Sequence, residues 1–262
     1  MRIVVCIKQV PGKPDIQWDP ETGSLVREGA SGILNPNDKN ALEAALQLKE
    51  KHGGVVTGIS MGPPQAEESL REALSMGIDE AILLNDKKFA GSDTWATAYT
   101  LSLALKKIEE FDLVLCGKES ADGMTAQVGP QLAEFLNLPQ LTYASEVEIN
   151  GNLVRVRQRM EDLYRVLESS LPAVITVERE INCPRIPPMD LIIEAYRDKE
   201  VVWWSAEDLR GEIDHLGLKG SPTQTRSVYI QKVEKRGLQV LEGTSVETAR
   251  RLVQILKQKN LI

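Results

Sequence analysis

Histidine and cysteine are scarce in this chain, which holds only His52 and His215, and Cys6, Cys116 and Cys183. Two histidines and no Cys-x-x-Cys pair give no basis for a Cys/His zinc centre, and no Ser-His-Asp or Cys-His arrangement can be assembled from them. An odd number of well-separated cysteines suits a reducing compartment better than a disulfide framework. No apolar run approaches the about 20 residues of a membrane span. The first, Ile3 to Ile7, stops at Lys8 and is too short for a signal-peptide core. Basic charge is in deficit: 31 Lys and Arg against 38 Asp and Glu leave a formal charge of −7. An acidic surface repels phosphate backbones, which argues against general nucleic-acid binding. Gly-x-Gly-x-x-Gly and Walker A loops are both absent. The chain reads as cytoplasmic, with no membrane span and no metal site.

At 262 residues, 42% of them hydrophobic and 26% charged, the chain has the composition of a globular protein. Its length supports between one and two domains. The first ~140 residues alternate strand and helix signals. Ile3–Ile7, Val55–Ser60, Ala81–Leu84 and Leu113–Cys116 read as strands buried on both faces. Helices open at Asn35-Pro36-Asn37-Asp38, after Met61-Gly62-Pro63-Pro64, at Asp93 and near Thr125. Gly53-Gly54 and Gly77 stop the first two. Strands separated by helices imply βαβ units: an α/β fold with a doubly wound, Rossmann-like parallel sheet. Ligands of such sheets sit beyond the carboxyl ends of the strands.

After Pro139 the pattern changes. Val147–Ile149 and Leu153–Arg159 form a predicted hairpin with an Asn150-Gly151 turn, and Ala173–Val177 a further buried strand. Pro184, Pro187 and Pro188 mark an irregular exposed segment. Residues 200–229 are polar and poor in periodicity, as in an arm lying along another surface. An amphipathic helix over 246–259 closes the chain. The expected organisation is an α/β domain over 1–199, including a docking loop near 184–194, and an extended C-terminal arm and helix over 200–262.

The sharpest local feature is Gly117-Lys118-Glu119-Ser120-Ala121-Asp122-Gly123-Met124-Thr125-Ala126-Gln127-Val128-Gly129-Pro130. A strand end, a glycine-bearing loop and a helix start together make an anion site. Gly123 would allow close backbone approach to a phosphate, and Thr125 and Gln127 offer hydrogen bonds. An ordinary βα loop with an Asp-Gly turn is the plainer alternative. Cys6 to Val10 leaves the first strand at the same edge. Asn35, Pro36, Asn37 and Asp38 could hold a ribose or phosphate, or simply cap a helix; Met61-Gly62-Pro63 could wall a pocket, or simply turn. Arg155, Arg157 and Arg159 share one strand face, either solvated or turned to an anionic partner. Trp203 and Trp204 suit an interface core or burial at home.

Together these pieces resemble the beta subunit of electron transfer flavoprotein over nearly the whole chain. The likeness is carried by Val5–Val10, Asn35-Pro36 leading into Ala41–Ala45, Met61–Gln65, Arg71–Gly77, Gly117-Lys118, Asp122-Gly123, Leu171–Thr176 and Asn182-Cys183-Pro184-Arg185. The resemblance implies a doubly wound domain whose arm embraces an alpha subunit that holds most of an FAD. It implies a nucleotide site lined by Cys6, Asn35, Pro36, Asn37, Asp38, Met61, Gly117, Lys118, Asp122, Gly123, Met124, Thr125, Ala126, Gln127 and Val128. AMP fills that site in simple carriers, and a second FAD, fed by NADH, in the electron-bifurcating branch. Thr125–Pro130 looks more like the bifurcating branch. The resemblance also places Met189 as the apolar anchor toward a dehydrogenase or quinone oxidoreductase, with burial in the home core as the alternative. Gln158 departs from the family pattern, which has a basic residue there. Leu163 and Arg165 depart as well, where small or acidic residues are usual. A nucleotide-binding regulatory module of similar architecture stands as the reading from a different class.

Overall fold

In the computed structural model the apolar run after Met1 forms β1 (Arg2–Ile7), an interior strand of a nine-stranded sheet. The structure describes residues 1–12, 17–18, 25–26, 32–223 and 240–262. In chain order the elements are β2 (Gln9–Pro11), β3 (Gln17–Trp18), β4 (Leu25–Val26), β5 (Gly32–Leu34), α1 (Pro36–His52), β6 (Val55–Met61), α2 (Glu67–Met76) and β7 (Glu80–Leu84). Then come α3 (Thr94–Ile108), β8 (Leu113–Gly117), α4 (Val128–Leu136), β9 (Gln140–Asn150), β10 (Leu153–Arg159), β11 (Tyr164–Ser170) and β12 (Ala173–Val177). The last are α5 (Met189–Arg197), β13 (Val201–Trp204), α6 (Ala206–Leu209) and α7 (Ser245–Gln258).

The sheet order is β11-β10-β9-β12-β8-β1-β6-β7-β13. Every pair from β9 through β12, β8, β1, β6 and β7 to β13 is parallel, while β9, β10 and β11 are antiparallel. Alternate side chains of one strand serve opposite faces. Ile3, Val5 and Ile7 of β1 join Leu42, Ala45, Leu70 and Leu74 from α1 and α2. Val4 and Cys6 join Leu101, Leu105 and Leu132 from α3 and α4. Helices therefore cover both faces, and the doubly wound α/β expectation holds.

Several expectations are corrected in detail. Asn150 pairs with Leu153, so Gly151 and Asn152 are the central hairpin residues and Gly151 takes φ 60°. The strand β9 begins ten residues before that turn, and β11 had no counterpart in the sequence pattern. The last loop helix starts at Val128 rather than near Thr125. Most consequentially, the body does not stop at 199. Val201–Trp204 pairs with Ala81–Leu84 as the final strand of the sheet. Ala206, Leu209 and Leu216 are buried in the α3–α4 side of the core. Asp93, which caps α3, also accepts from the backbone N–H and hydroxyl of Thr223 at 3.0 and 2.7 Å. By compactness the chain divides into Met1–Arg226 and Ser227–Ile262. Trp204 packs on the core with the Lys107 ammonium over its ring, whereas Trp203 is 44% exposed. The part of the expected arm over 224–239, and most of the Pro11–Asp19 loop, lie outside the described residues.

In the second unit, α7 opens on a reciprocal Thr244–Glu247 capping box. None of its residues is buried, and Val246, Leu252 and Val253 leave an apolar stripe exposed. Among the described residues no helix is long and apolar enough to cross a membrane, and no group of three His, Cys, Asp or Glu is placed to hold a metal.

The proline-rich segment is fixed from beneath by α1. Asn40, buried, donates to the carbonyls of Arg179 and Asn182 at 3.0 Å and accepts from the Asn182 amide through its own carbonyl. One helical turn on, the buried Glu43 carboxylate receives the Arg185 backbone N–H, Nε and Nη2 at 3.1, 2.7 and 3.0 Å. Glu50 takes Nη1 at 2.7 Å. Arg185→Ala would leave Glu43 buried without its cation. It should lower unfolding free energy by about 2 kcal/mol, below the full penalty for a broken buried pair because Arg185 is partly exposed. Urea denaturation checks this, and Arg185→Lys, which cannot reproduce the forked geometry, should recover only part.

Candidate functional site

The carboxyl ends of β1 and β8 are neighbours, with Cys6 in register with Cys116. Both thiols are buried on the α3–α4 face, where Met61 and Val128 pack against the same cluster. The hydrogen bond that the Cys116 thiol donates to Cys6, and after it desolvation by burial, raise the Cys116 pKa. Both cysteines are packing groups under the edge.

Above them the chain turns into α1. Asn35 stands at the N-cap but makes no side-chain cap. Its amide spans the gap to the loop after β8 instead: Nδ2 donates to the Glu119 carbonyl at 3.0 Å, and Oδ1 accepts from the Ala121 N–H at 3.1 Å. Asn37 Nδ2 adds a second bond to the Glu119 carbonyl at 2.8 Å. Pro36 holds N1, where a missing N–H costs nothing. Capping was the plainer expectation for this quartet, and the geometry replaces it with loop-holding.

Asp38 is buried at 6% exposure and accepts from the Lys8 N–H at 2.8 Å. Burial pushes its pKa up to about 7, against hydrogen bonds from Asn35, Lys8 and Gly117 that pull the other way. Gly117 has no room for a side chain. A Cβ there would fall on the Asp38 carboxylate and within 2.7 Å of the Asn37 backbone carbon.

The loop itself is bent by residues other than glycine. Met124 and Ala126 take φ of 46° and 53°, a left-handed region that costs about 1–3 kcal/mol for such side chains. Gly123 is not left-handed, and a Cβ on it would meet only Ser120 Oγ at 3.4 Å, so steric need for glycine falls on Gly117 and Gly129. At Gly129 a Cβ would collide with the Thr176 methyl. The helix α4 then starts without a side-chain cap at Gln127, and Pro130 has no N–H, so the positive end of the helix carries no capping side chain. Gln127 Oε1 accepts from Thr94 Oγ1 at 3.0 Å, which ties this start to α3. Lys118 lies between Glu178, 3.3 Å away, and the ring of Tyr143. Thr125 is exposed in the loop.

The structure thus gathers Cys6, Asn35–Asp38, Met61 and Gly117–Val128 at one edge. Met189 is not in that group: it opens α5, which packs on α2 through Arg71, Tyr196 and Glu68. It is 71% exposed, which removes the home-core alternative. The expected docking loop is in large part this helix. Tyr143 also belongs to the edge and was not singled out, and Lys8 and Ser120, which lie within the Cys6–Val10 and Gly117–Pro130 runs, were given no role of their own. Lys8 had a visible signal, a lone cation at a buried strand's end; Tyr143, at φ 55° in a β-bulge, had none.

Arg155, Arg157 and Arg159 share an exposed face but are each paired, with Glu168, Glu146 and Glu180. Gln158 donates to the Thr142 carbonyl and hydroxyl, both at 3.0 Å, a neutral bond where the family pattern has a cation.

Comparison with known proteins adds a consistent identity. The electron transfer flavoprotein domain matches residues 22–209. The electron transfer flavoprotein subunit beta of Thermoanaerobacterium thermosaccharolyticum is 48% identical over 262 residues, all of both chains. The caffeyl-CoA reductase-Etf complex subunit CarD of Acetobacterium woodii is 45% identical over 264 residues, again covering both chains. Protein FixA of Azorhizobium caulinodans is 48% identical over 87% of this chain and 84% of its own length.

Asp38 gives the edge a pH signature. Its carboxyl titrates near 7 when folded, against 3.8 ordinarily, so folding favours the protonated form. That contribution is complete below about pH 4 and is lost as pH rises through about 7. Wild type should therefore lose stability relative to Asp38→Asn between these limits, by on the order of 4 kcal/mol. Urea unfolding of both proteins at pH 4.5, 6 and 8 reads the difference, and parallel profiles would refute it.

Proposed function

The chain belongs to the electron transfer flavoprotein family as a beta subunit, and from that premise we propose that it works in the cytoplasm by flavin-based electron bifurcation, with an alpha subunit. Family membership removes the alternative of a free-standing regulatory module. In this reading the carboxyl edge holds the nucleotide part of a second FAD, NADH is the electron donor, and the alpha subunit holds most of the first FAD. The observation that carries it is the uncapped start of α4, reached through a loop with left-handed Met124 and Ala126 and crowded between Gly117 and Gly129.

Those features fit a dinucleotide's phosphates. The uncapped, positive start of α4 suits an anion. Gly117 keeps the Asp38 carboxyl tight to the backbone, so Asn35 and Asn37 hold the loop without reaching into the space above it. Met61 and the covered Cys6 and Cys116 supply an apolar floor. Bound there, a flavin would supply one- and two-electron chemistry, while the protein contributes position and electrostatics. The likeness of Thr125–Pro130 to the bifurcating branch favours FAD over AMP.

Two surfaces carry the partners in this proposal. The exposed stripe of α7 is the part of the arm that packs on the alpha subunit. Ile186 and Met189, 90% and 71% exposed on a segment fixed by Glu43 and Asn40, face a dehydrogenase or quinone oxidoreductase. Rigid placement of an exposed thioether gives an anchor with little ordering cost. The naming of relatives as subunits of caffeyl-CoA and acryloyl-CoA reductase systems supports a CoA-ester reductase as that partner's class.

Flavin and AMP counted in the co-purified heterodimer test the nucleotide assignment. Two FAD and no AMP per dimer are expected; one FAD with one AMP would make the protein a simple carrier. For the docking surface, Met189→Ala should weaken binding to the reductase by about 1–2 kcal/mol, the range of an ordinary anchor. Melting temperature and flavin content should stay at wild-type values, because the side chain touches little of its own fold.

A further inference from the structure

Lys8 is held at both ends of its own peptide unit. Its N–H donates to Asp38 at 2.8 Å, and its carbonyl accepts from the Asn35 N–H at 2.9 Å. The side chain, aimed by that backbone, crosses to the loop after β8. Nζ donates to Asp122 Oδ1 at 2.7 Å and lies 3.4 Å from Ser120 Oγ. Asp122 is only 9% exposed and Lys8 44%. Burial pushes the Asp122 carboxyl up, but bonds from Lys8, Ser120 and the Gly123 N–H outweigh it and hold it below its usual value. Directly after Asp122 come the left-handed residues Met124 and Ala126 and the bare start of α4.

We propose that Lys8 is a positioning residue for the nucleotide loop: its ion pair with Asp122 holds the strained 119–127 course in place and neutralises a buried carboxylate at the edge of a phosphate site. The inference rests on the nucleotide reading for its ligand but not for its loop geometry. The two consequences separate. Loss of the cation leaves a carboxylate facing approaching phosphate, a penalty that scales with ligand charge. It also removes one of three side chains that tie the end of β1 and the start of α1 to this loop, the others being Asn35, bonded to Glu119 and Ala121, and Asn37, bonded to Glu119.

The test uses the full chain with its alpha subunit, dialysed first so that no nucleotide remains bound at this edge. AMP and adenosine binding are measured by calorimetry, and amide hydrogen exchange over residues 119–127 by mass spectrometry, for wild type, Lys8→Met, Lys8→Arg and Lys8→Met/Asp122→Asn. Lys8→Met should raise the AMP dissociation constant at least tenfold, as expected for losing one charge-assisted contact, with adenosine changed less than threefold. Exchange over 119–127 should accelerate while β1 and β8 stay protected. Lys8→Arg should restore both, and the double variant should regain AMP affinity but keep the fast exchange. Wild-type AMP affinity and wild-type exchange in Lys8→Met would overturn the proposal. Equal losses for AMP and adenosine would overturn the charge role. If wild type binds no nucleotide, the nucleotide reading fails by itself, and exchange over 119–127 still decides whether Lys8 positions the loop.

Discussion

The seat of the Asp38 carboxylate, wedged between the ends of two adjacent parallel strands, is the constraint on which the rest of the edge depends. It takes the N–H of Lys8 at the end of β1 and presses on Gly117 at the end of β8. A Cβ on Gly117 would displace it, so the strand that delivers the loop must end in glycine. Once Asp38 is seated, α1 has a fixed rotation about its axis. Asn35 and Asn37 are then delivered to the Glu119 carbonyl, and Asn40 and Glu43 to the far segment over 179–185. A buried carboxylic acid that gains so little from hydrogen bonding, relative to its desolvation, is poor economy for stability alone. It makes sense as a spacer that sets three neighbouring pieces of chain.

One helix thus governs both surfaces proposed for function. The N-terminal turn of α1 holds the loop that leads to α4, and the side chains one to four turns further hold the proline-rich segment that ends in Met189. Asn40, Glu43 and Glu50 recur at helical spacing, so they share a face. Because backbone carbonyls of Arg179 and Asn182 are the acceptors at Asn40, the contact fixes the course of the chain and not merely one side chain. A rigid connection of this kind keeps Ile186 and Met189 at a set distance from the carboxyl edge of the sheet.

The doubly wound core was legible because its strands are buried on both faces and so read as unbroken apolar runs, as Ile3–Ile7 and Leu113–Cys116 do. The gathering of these loops at one edge followed from topology, since βαβ units put every strand's carboxyl end on one side. Elements with half-exposed side chains were not legible. In β11, Tyr164, Val166 and Glu168 all face solvent, which erases the contrast that marks a strand. Val201–Trp204 sits among polar residues and reads as an arm until its pairing with β7 is known. Asn35 has the residue type of a cap and the position of a cap, and only the approach of a second loop redirects its amide. Residues whose role is long-range pairing, Lys8 with Asp122 and Arg185 with Glu43, leave no periodic trace at all.

The placement of strain at the edge follows from what glycine would have done there. Glycine at 124 and 126 would adopt left-handed φ without cost, but it would also let the loop leave that shape as easily. Met124 and Ala126 accept a penalty that persists only because the surroundings over-determine the backbone. Those surroundings are the Asn35 and Asn37 bonds before the bend, the Lys8–Asp122 pair at its shoulder, and the Thr94–Gln127 bond after it. Two of the three glycines here, Gly117 and Gly129, are where neighbouring atoms leave no space, not where the chain needs freedom. Amides fixed in advance around an anion site lose little entropy when the ligand arrives. A loop stiffened in this way also keeps a constant electrostatic environment, which is the protein's share in setting the potential of any group bound there.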